Sequence, residues 1–336
     1  IHKKSPTSPR KEQVSKNTDG YYHCVSRAVR RAYLCGIDAQ QGCNYEHRRQ
    51  WIVERLEVLA GLFAIDVCAY AVMSNHYHIV LYVNHQHSLT WTDEEVVQRW
   101  CALFPPSILK DNTDATLTDA HLAHLATDSE KVALWRTRLA DLSWFMRCLN
   151  EPIARQANKE DNCTGRFWEG RFKSQVLLDE AALISCMAYV DLNPVRAAIA
   201  QTPEDSEYTS IATRIEAEQT QSEQAHWLLP FAQKKSGLPT AASDQLYLPL
   251  SQDEYFELLD WTGRCIRDDK RGAIPAHLAP ILQRLQIQQD NWVNGVKHYG
   301  NYFYKVIGTV QHLLEETQRQ GRKWLKGKTA AKLLYQ

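Results

Sequence analysis

Residues 73–83 read Met-Ser-Asn-His-Tyr-His-Ile-Val-Leu-Tyr-Val. The β-branched and aromatic residues predict a strand, and Ser74-Asn75 predict a tight turn before it. Side chains on a strand alternate between the two faces of a sheet, so His76 and His78 share one face. Two imidazoles on one rigid face are either half of a divalent-metal site or ordinary strand histidines, and this stretch alone leaves both readings open.

Neighbouring residues predict the other strands of the same sheet. Residues 21–27 and 65–72 are rich in aromatic and β-branched side chains, and the second stretch would form a hairpin with residues 76–83. Between them, residues 45–62 place apolar side chains at helical spacing. Tyr77 faces away from the two histidines, so we expect it in the core.

Two further histidine pairs are weaker metal candidates. His85 and His87 follow the strand in a polar stretch, where we expect an exit loop that does not hold both side chains on one face. His121 and His124 are three residues apart on a helical stretch, but no carboxylate lies at a telling spacing. We expect both pairs to be exposed.

Length and composition predict a folded chain of about two domains. It has 336 residues, of which 44% are hydrophobic. It contains no run of about 18 apolar residues, and no apolar segment follows the basic residues near position 1, so we expect neither a membrane span nor a signal peptide. The nine cysteines are scattered, which is typical of reduced thiols in a cytoplasmic protein.

The net charge is zero, but both ends of the sequence are basic. Residues 1–31 hold eight Lys or Arg residues against two acidic residues, and residues 317–336 hold six and no acid. We expect residues 1–19 to form a flexible basic arm. Basic ends are either solubilising tails or contacts for a polyanion.

Helical patterns and an arginine-aromatic run follow the histidine strand. Residues 89–140 look like a helical insertion, and residues 142–158 resume a strong helix pattern. Residues 165–178 interleave aromatic residues with Arg and Lys, which suits either a surface that stacks on nucleic acid or a core strand with solvated arginines. In residues 181–190, a further predicted helix, Tyr189 lies four residues before Asn193.

Four motifs in this order resemble a known family. They are Tyr-Tyr-His-Cys-Val-Ser-Arg at 21–27, Met-Ser-Asn-His-Tyr-His at 73–78, Gly-Arg-Phe-Trp-Glu-Gly-Arg-Phe-Lys-Ser at 165–174 and Tyr-Val-Asp-Leu-Asn-Pro-Val-Arg-Ala at 189–197. Together they resemble the single-tyrosine HUH transposases, most closely the REP-associated tyrosine transposases of bacteria. The resemblance covers about residues 20–210.

The resemblance implies an α+β fold, a ferredoxin-like domain whose central antiparallel sheet carries helices on one face. It implies a protein that binds hairpin DNA and cuts a single strand beside it. His76 and His78 match the metal ligands and Tyr189 matches the nucleophile. Asn193 matches the third ligand, where many relatives have Gln; alternatively, Asn193 before Pro194 caps a new helix.

The implied chemistry suits these residue types. Mg²⁺ or Mn²⁺ held by two imidazoles and an amide would neutralise charge on the scissile phosphate, and tyrosine attack would leave a 5′-phosphotyrosine and a free 3′-hydroxyl. Our candidates for DNA contact are basic residues in and beside the motifs: Arg27, Arg166, Arg171, Lys173 and Arg196. Two alternatives remain, a catalytically silent DNA-binding regulator and a metal-dependent phosphodiesterase that uses activated water.

Residues 216–336 lie beyond the resemblance, and we expect a helical C-terminal domain. A capping box at 251–254 predicts one helix, and residues 278–285 and 303–318 predict two more. Residues 232–245 look like a linker. This region either grips duplex DNA with its basic tail or serves packing or dimerisation. We expect a cytoplasmic, nucleoid-associated protein, and the sequence leaves monomer and homodimer open.

Overall fold

The computed structural model describes residues 18–29, 34–38, 42–106, 118–223, 225–232, 246–267, 275 and 277–335. Most of the expected basic arm (1–19), almost all of the expected linker (232–245) and residues 107–117 of the expected insertion lie outside the described residues.

The histidine strand lies inside a five-stranded sheet. The strands are β1 (Gly20–Arg27), β2 (Ile37–Asp38), β3 (Cys43–Asn44), β4 (Ile65–Val72), β5 (His76–Val83), β6 (Lys173–Leu177) and β7 (Val306–Ile307). The main sheet has the order β4-β5-β1-β6-β7, and β2 pairs with β3 alone. Its first four strands pair antiparallel, and β7 adds a short parallel edge. Strands β1, β4, β5 and β6 form a ferredoxin-like unit, as expected.

Helices fill the connections. They are α1 (Arg48–Leu62), α2 (His85–Thr90), α3 (Asp93–Leu103), α4 (Asp119–Ala126), α5 (Ser129–Leu139), α6 (Leu142–Glu160), α7 (Glu180–Asp191), α8 (Asn193–Arg196), α9 (Ser210–Thr220), α10 (Gln252–Arg267), α11 (Ala279–Arg284), α12 (Trp292–Lys297), α13 (Tyr299–Tyr302), α14 (Val310–Arg319) and α15 (Lys328–Leu334), with a 3₁₀ turn at Gln289–Asn291. Helices α3 to α5 fall in the stretch 89–140, which was expected to be a helical insertion.

Helices cover both faces of the sheet. The crossover helices α1 and α6 pack against the face that carries Tyr77, Ile79 and Leu81, which is the helical layer we expected. Helix α7 packs against the opposite face, over Val80 and Ala69. The second layer exists because α7 is apolar on all sides and needs cover from the C-terminal helices as well as from the sheet.

Two local expectations were wrong. His85 and His87 lie on the short helix α2, not in a loop, because Asn84 caps it by accepting from the His87 backbone N–H. Residues 303–309 do not belong to a helix: Val306 and Ile307 form β7, and α14 begins only at Val310. β-Branched residues favour a strand when an open sheet edge is available, and β6 provides that edge.

The C-terminal helices share a core with the tyrosine helix α7. The capping box exists as expected, since Ser251 N–H donates to Glu254 and Glu254 N–H donates to Ser251 Oγ. The apolar faces of α10 and α12 join one hydrophobic cluster with α7. A domain boundary near residue 216 stays a prediction, but side chains on both sides of it pack together.

No helix in the described part of the chain has the length and apolar character needed to cross a membrane. The nine cysteines are free thiols.

Candidate active site

The two histidines of β5 lie side by side on the sheet face that α7 covers. Their ring centroids are 4.9 Å apart. Burial and the nearby Arg27 together lower the pKa of His76 to about 4. Burial, with the nearby His23 and His76, holds the pKa of His78 well below its ordinary value. Both imidazoles are therefore neutral near pH 7, the state in which a ring nitrogen can bind a metal.

A third histidine, which the sequence analysis did not single out, completes this cluster. His23 on β1 is buried, and its Nε2 lies 2.9 Å from Nδ1 of His78. Its Nδ1 lies 2.7 Å from Oε1 of Gln175 on β6. Burial lowers the pKa of His23 to about 4. The sequence does place His23 on the same strand face as Tyr21 and Val25. Whether that face meets His78 depends on the register of β1 with β5 and β6, which the sequence does not give.

Tyr189 lies on α7 directly above the histidines. Asp179 caps this helix by accepting from the Ala182 backbone N–H at 2.9 Å, which fixes its first turn. The Tyr189 ring meets the His78 ring edge-on at a centroid distance of 5.4 Å and stacks on Tyr299 at 5.0 Å. Tyr189 is half-buried whereas Tyr299 is buried, so of the two phenols Tyr189 is the one open to a substrate.

Arg196 supplies positive charge beside the phenol. Its guanidinium carbon lies 4.4 Å from the centroid of the Tyr189 ring, and its Nε–H donates to the Lys297 carbonyl at 3.1 Å. Burial raises the pKa of Tyr189, and Arg196 opposes that rise. The site therefore holds a protonated tyrosine next to a cation that would stabilise its phenolate.

Asn193 does not continue the tyrosine helix. Helix α7 ends at Asp191, and Asn193 is the first residue of the short helix α8, with Pro194 in its first turn. Asn193 also does not cap α8, since Leu192 occupies the cap position. Its Nδ2 is buried without a hydrogen-bond partner among the described residues. An amide nitrogen only donates, whereas a metal would bind Oδ1, so this observation does not bear on metal binding, and the role of Asn193 as a metal ligand stays a prediction.

The basic candidates divide into two groups. Arg27 and Arg196 both depress the pKa of His78, so they lie near the histidines. Arg166 and Arg171 on the segment that leads into β6, and Lys173 at the start of β6, are exposed, and their side chains have no hydrogen bond or ion pair among the described residues. That segment is tied to β1, because the Glu169 N–H donates to the Arg27 carbonyl at 2.9 Å.

The aromatic residues of the same segment are structural. Phe167 and Phe172 are buried, and the Trp168 indole N–H donates to the Asn150 carbonyl at 2.9 Å. Of the two readings of this run, the structure supports buried aromatics with solvated arginines. Tyr77 is also buried, as expected, and its hydroxyl donates to Asn150.

The histidine face offers a divalent cation two imidazole ligands and open positions beside them. His76 and His78 are neutral and adjacent, and the Nδ1 of His76 lies 2.6 Å from Oδ1 of Asn75, which leaves Nε2 of His76 free. In the part of the chain that the structure describes, no group of three or more His, Cys, Asp or Glu side chains is placed to hold a metal. A metal here would therefore have two imidazoles as its histidine ligands and would need further oxygen donors from the protein, substrate or water.

Comparison with known proteins gives one distant likeness. No family model and no curated protein matches the chain. A solved structure of a REP-associated tyrosine transposase bound to a REP hairpin aligns with 72% of this chain and 99% of the other, at 11% identity and a TM-score of 0.36. A likeness this distant says nothing by itself about what this chain does.

Proposed function

We propose that this chain is a metal-dependent single-strand DNA endonuclease and strand transferase that acts at hairpin DNA through a covalent 5′-phosphotyrosine. One observation carries the proposal: a half-buried tyrosine, two neutral histidines and an arginine converge at one place on the sheet. Hairpin DNA as the substrate rests on the resemblance of the four sequence motifs.

The chain's own residues account for the covalent step. Tyr189 Oη forms a bond to the scissile phosphorus while the bond from phosphorus to the 3′ oxygen breaks. The phenol proton leaves to solvent, and the departing 3′ oxygen takes up a proton to become a free hydroxyl. Arg196 favours the phenolate and lies where it can contact the phosphate.

The sheet face that carries His76 and His78 would position the phosphate. His76 and His78 would hold Mg²⁺ or Mn²⁺, with Asn193 as the third ligand. When bound, the metal supplies Lewis-acid neutralisation of the phosphate charge. Arg27 lies at the same end of the sheet, and Arg166, Arg171 and Lys173 would extend the positive surface along the segment that leads into β6.

We further propose that Tyr189 acts in its own subunit, because it contacts His78 of the same chain. Mixing a Tyr189→Phe variant with a His78→Ala variant should therefore restore no cleavage. Recovery of a DNA adduct in the mixture would show that tyrosine and histidines come from different subunits.

The decisive experiment is adduct formation. The protein is incubated with labelled hairpin DNA carrying a single-stranded flank and Mn²⁺, and then denatured. We expect a labelled protein band with the wild type and none with Tyr189→Phe. The matched control is Tyr299→Phe, which removes the hydroxyl of the ring that stacks on Tyr189 but leaves the Tyr189 hydroxyl in place. This variant should still form the adduct.

The outcomes separate the alternatives. An adduct that survives Tyr189→Phe would refute the nucleophile. Cleavage without an adduct in wild type and Tyr189→Phe alike would indicate a phosphodiesterase that uses water. Hairpin binding without cleavage or adduct would indicate a DNA-binding regulator.

A further inference from the structure

Three side chains and one carbonyl form a continuous hydrogen-bonded chain that ends on His78. Gln175 Nε2 donates to the Tyr304 carbonyl at 3.0 Å. Gln175 Oε1 lies 2.7 Å from Nδ1 of His23, and Nε2 of His23 lies 2.9 Å from Nδ1 of His78. These residues come from four segments of the main sheet: β5, β1, β6 and the residues just before β7.

Each link determines the proton position of the next. A carbonyl only accepts, so the Gln175 amide must turn its nitrogen to Tyr304 and its oxygen to His23. An amide oxygen also only accepts, so Nδ1 of His23 carries the hydrogen. His23 is 3% exposed and its ring faces His78, Tyr189 and Tyr299, none of which is an anion, so the ring is neutral and Nε2 is bare.

The last link reaches the proposed metal site. Since Nε2 of His23 is an acceptor, Nδ1 of His78 must be the donor and carries its hydrogen. We infer that Gln175 and His23 act as a positioning relay that fixes His78 as the Nδ1–H tautomer and leaves its Nε2 lone pair free for the metal. This assignment of a purpose rests on the proposed function, whereas the tautomer itself does not.

The relay also gives the C-terminal region a stated task. The segment before α14 adds an edge to the sheet, because Val176 N–H donates to the Lys305 carbonyl at 2.8 Å and Leu178 N–H donates to the Ile307 carbonyl at 2.9 Å. These bonds hold the Tyr304 carbonyl over Gln175. A partner of this kind behind a metal-binding histidine fixes ring orientation and raises ligand affinity.

The test uses the full chain labelled with ¹⁵N-histidine, free of metal, and reads each tautomer from two-bond ¹H–¹⁵N correlations, with His23→Ala and His78→Ala to assign the signals. We expect the Nδ1–H tautomer at both His23 and His78. Gln175→Leu should release His23 to the Nε2–H form and push His78 to the same form. Mn²⁺ affinity, measured by calorimetry, should fall by about 10- to 100-fold.

One variant acts as the control. Ser174→Ala changes the same strand on the opposite face of the sheet and should change neither measurement. An Nε2–H tautomer at His78 in the wild type, or tautomers unchanged by Gln175→Leu, would overturn the relay. A wild type that shows the expected tautomers but binds no Mn²⁺ supports the relay and overturns the proposed function alone.

Discussion

Replacement of Tyr255 by Phe should destabilise the protein in a way that depends on pH. Tyr255 on α10 donates its hydroxyl hydrogen to Asp191 Oδ2 at 2.7 Å, and both residues are fully buried. Asp191 also accepts from Ser210 Oγ at 2.5 Å and from the Ile211 N–H at 3.0 Å. Because Asp191 is the last residue of the tyrosine helix, these bonds join that helix to α9 and α10.

The size of the stability loss in Tyr255→Phe depends on the charge of Asp191. Burial raises the pKa of this carboxyl and its hydrogen-bond donors lower it, and the resulting pKa is about 6. At pH 8 the carboxylate is charged, and loss of a donor to a buried charge costs about 1.5–3 kcal/mol. At pH 5 the folded protein holds Asp191 mostly protonated, so the loss falls to about 0.5–1.5 kcal/mol. The ring stays in place, so no cavity adds to either figure.

Urea unfolding followed by circular dichroism at pH 5 and pH 8 measures both values. The sign follows from linkage: removing a donor raises the folded pKa of Asp191 further above its unfolded value, so stability is lost as pH rises through that range. Tyr304→Phe, at an exposed position, is the matched control and should change stability by less than about 0.5 kcal/mol. Equal losses for Tyr255→Phe at the two pH values would refute a charged Asp191.

Three further perturbations test other parts of the structure. Gly308→Ala should lower the free energy of unfolding in urea by about 1–3 kcal/mol, because the added Cβ would lie 2.9 Å from the Leu178 Cβ. Gly61→Ala, on an open face of its helix, should raise it by about 0.5–1 kcal/mol. The reverse order of the two stabilities would contradict this packing. His23 should contribute up to about 3 kcal/mol to the stability that the metal-free protein loses as pH falls from 6.5 towards 4, since its folded pKa is depressed to about 4, and His76 and His78 add to the loss; a His23→Phe variant with an unchanged slope would refute this assignment. Arg196→Gln should move the pH profile of adduct formation to higher pH, because the phenol loses the cation that lowers its pKa; an unmoved profile would show that this charge does not act on the tyrosine.

The strands near the histidines could be predicted because their signal is local. A run of apolar, β-branched and aromatic residues places β4 at residues 65–72, and the two-residue spacing of His76 and His78 on a strand sends both to the same face. The short strand at 306–307 could not be predicted in this way. Two residues carry no period, and Val306 becomes a strand residue only because β6, about 130 residues earlier in the chain, offers a free edge.

The same contrast, between local sequence signals and contacts that depend on distant strands, applies to the site. The sequence singled out His78 and Tyr189, and the structure brings their rings together. It did not single out His23 or Gln175, since a lone histidine and a lone glutamine on two strands carry no pattern until the register places them side by side. Their roles, like those of Asn193 and the basic residues, remain predictions for the experiments above.

The edge strand β7 also affects how late in synthesis the histidine and tyrosine cluster can be completed. The histidine pair and the tyrosine have all been made by residue 189, yet the carbonyl that orients Gln175 belongs to residue 304. A ribosome that adds about 5–20 residues per second needs roughly 6–23 s to cover that interval. During those seconds the nascent chain holds Tyr189 and the two histidines without the carbonyl that orients Gln175, so under the proposed function the site would be completed only when the sheet edge assembles.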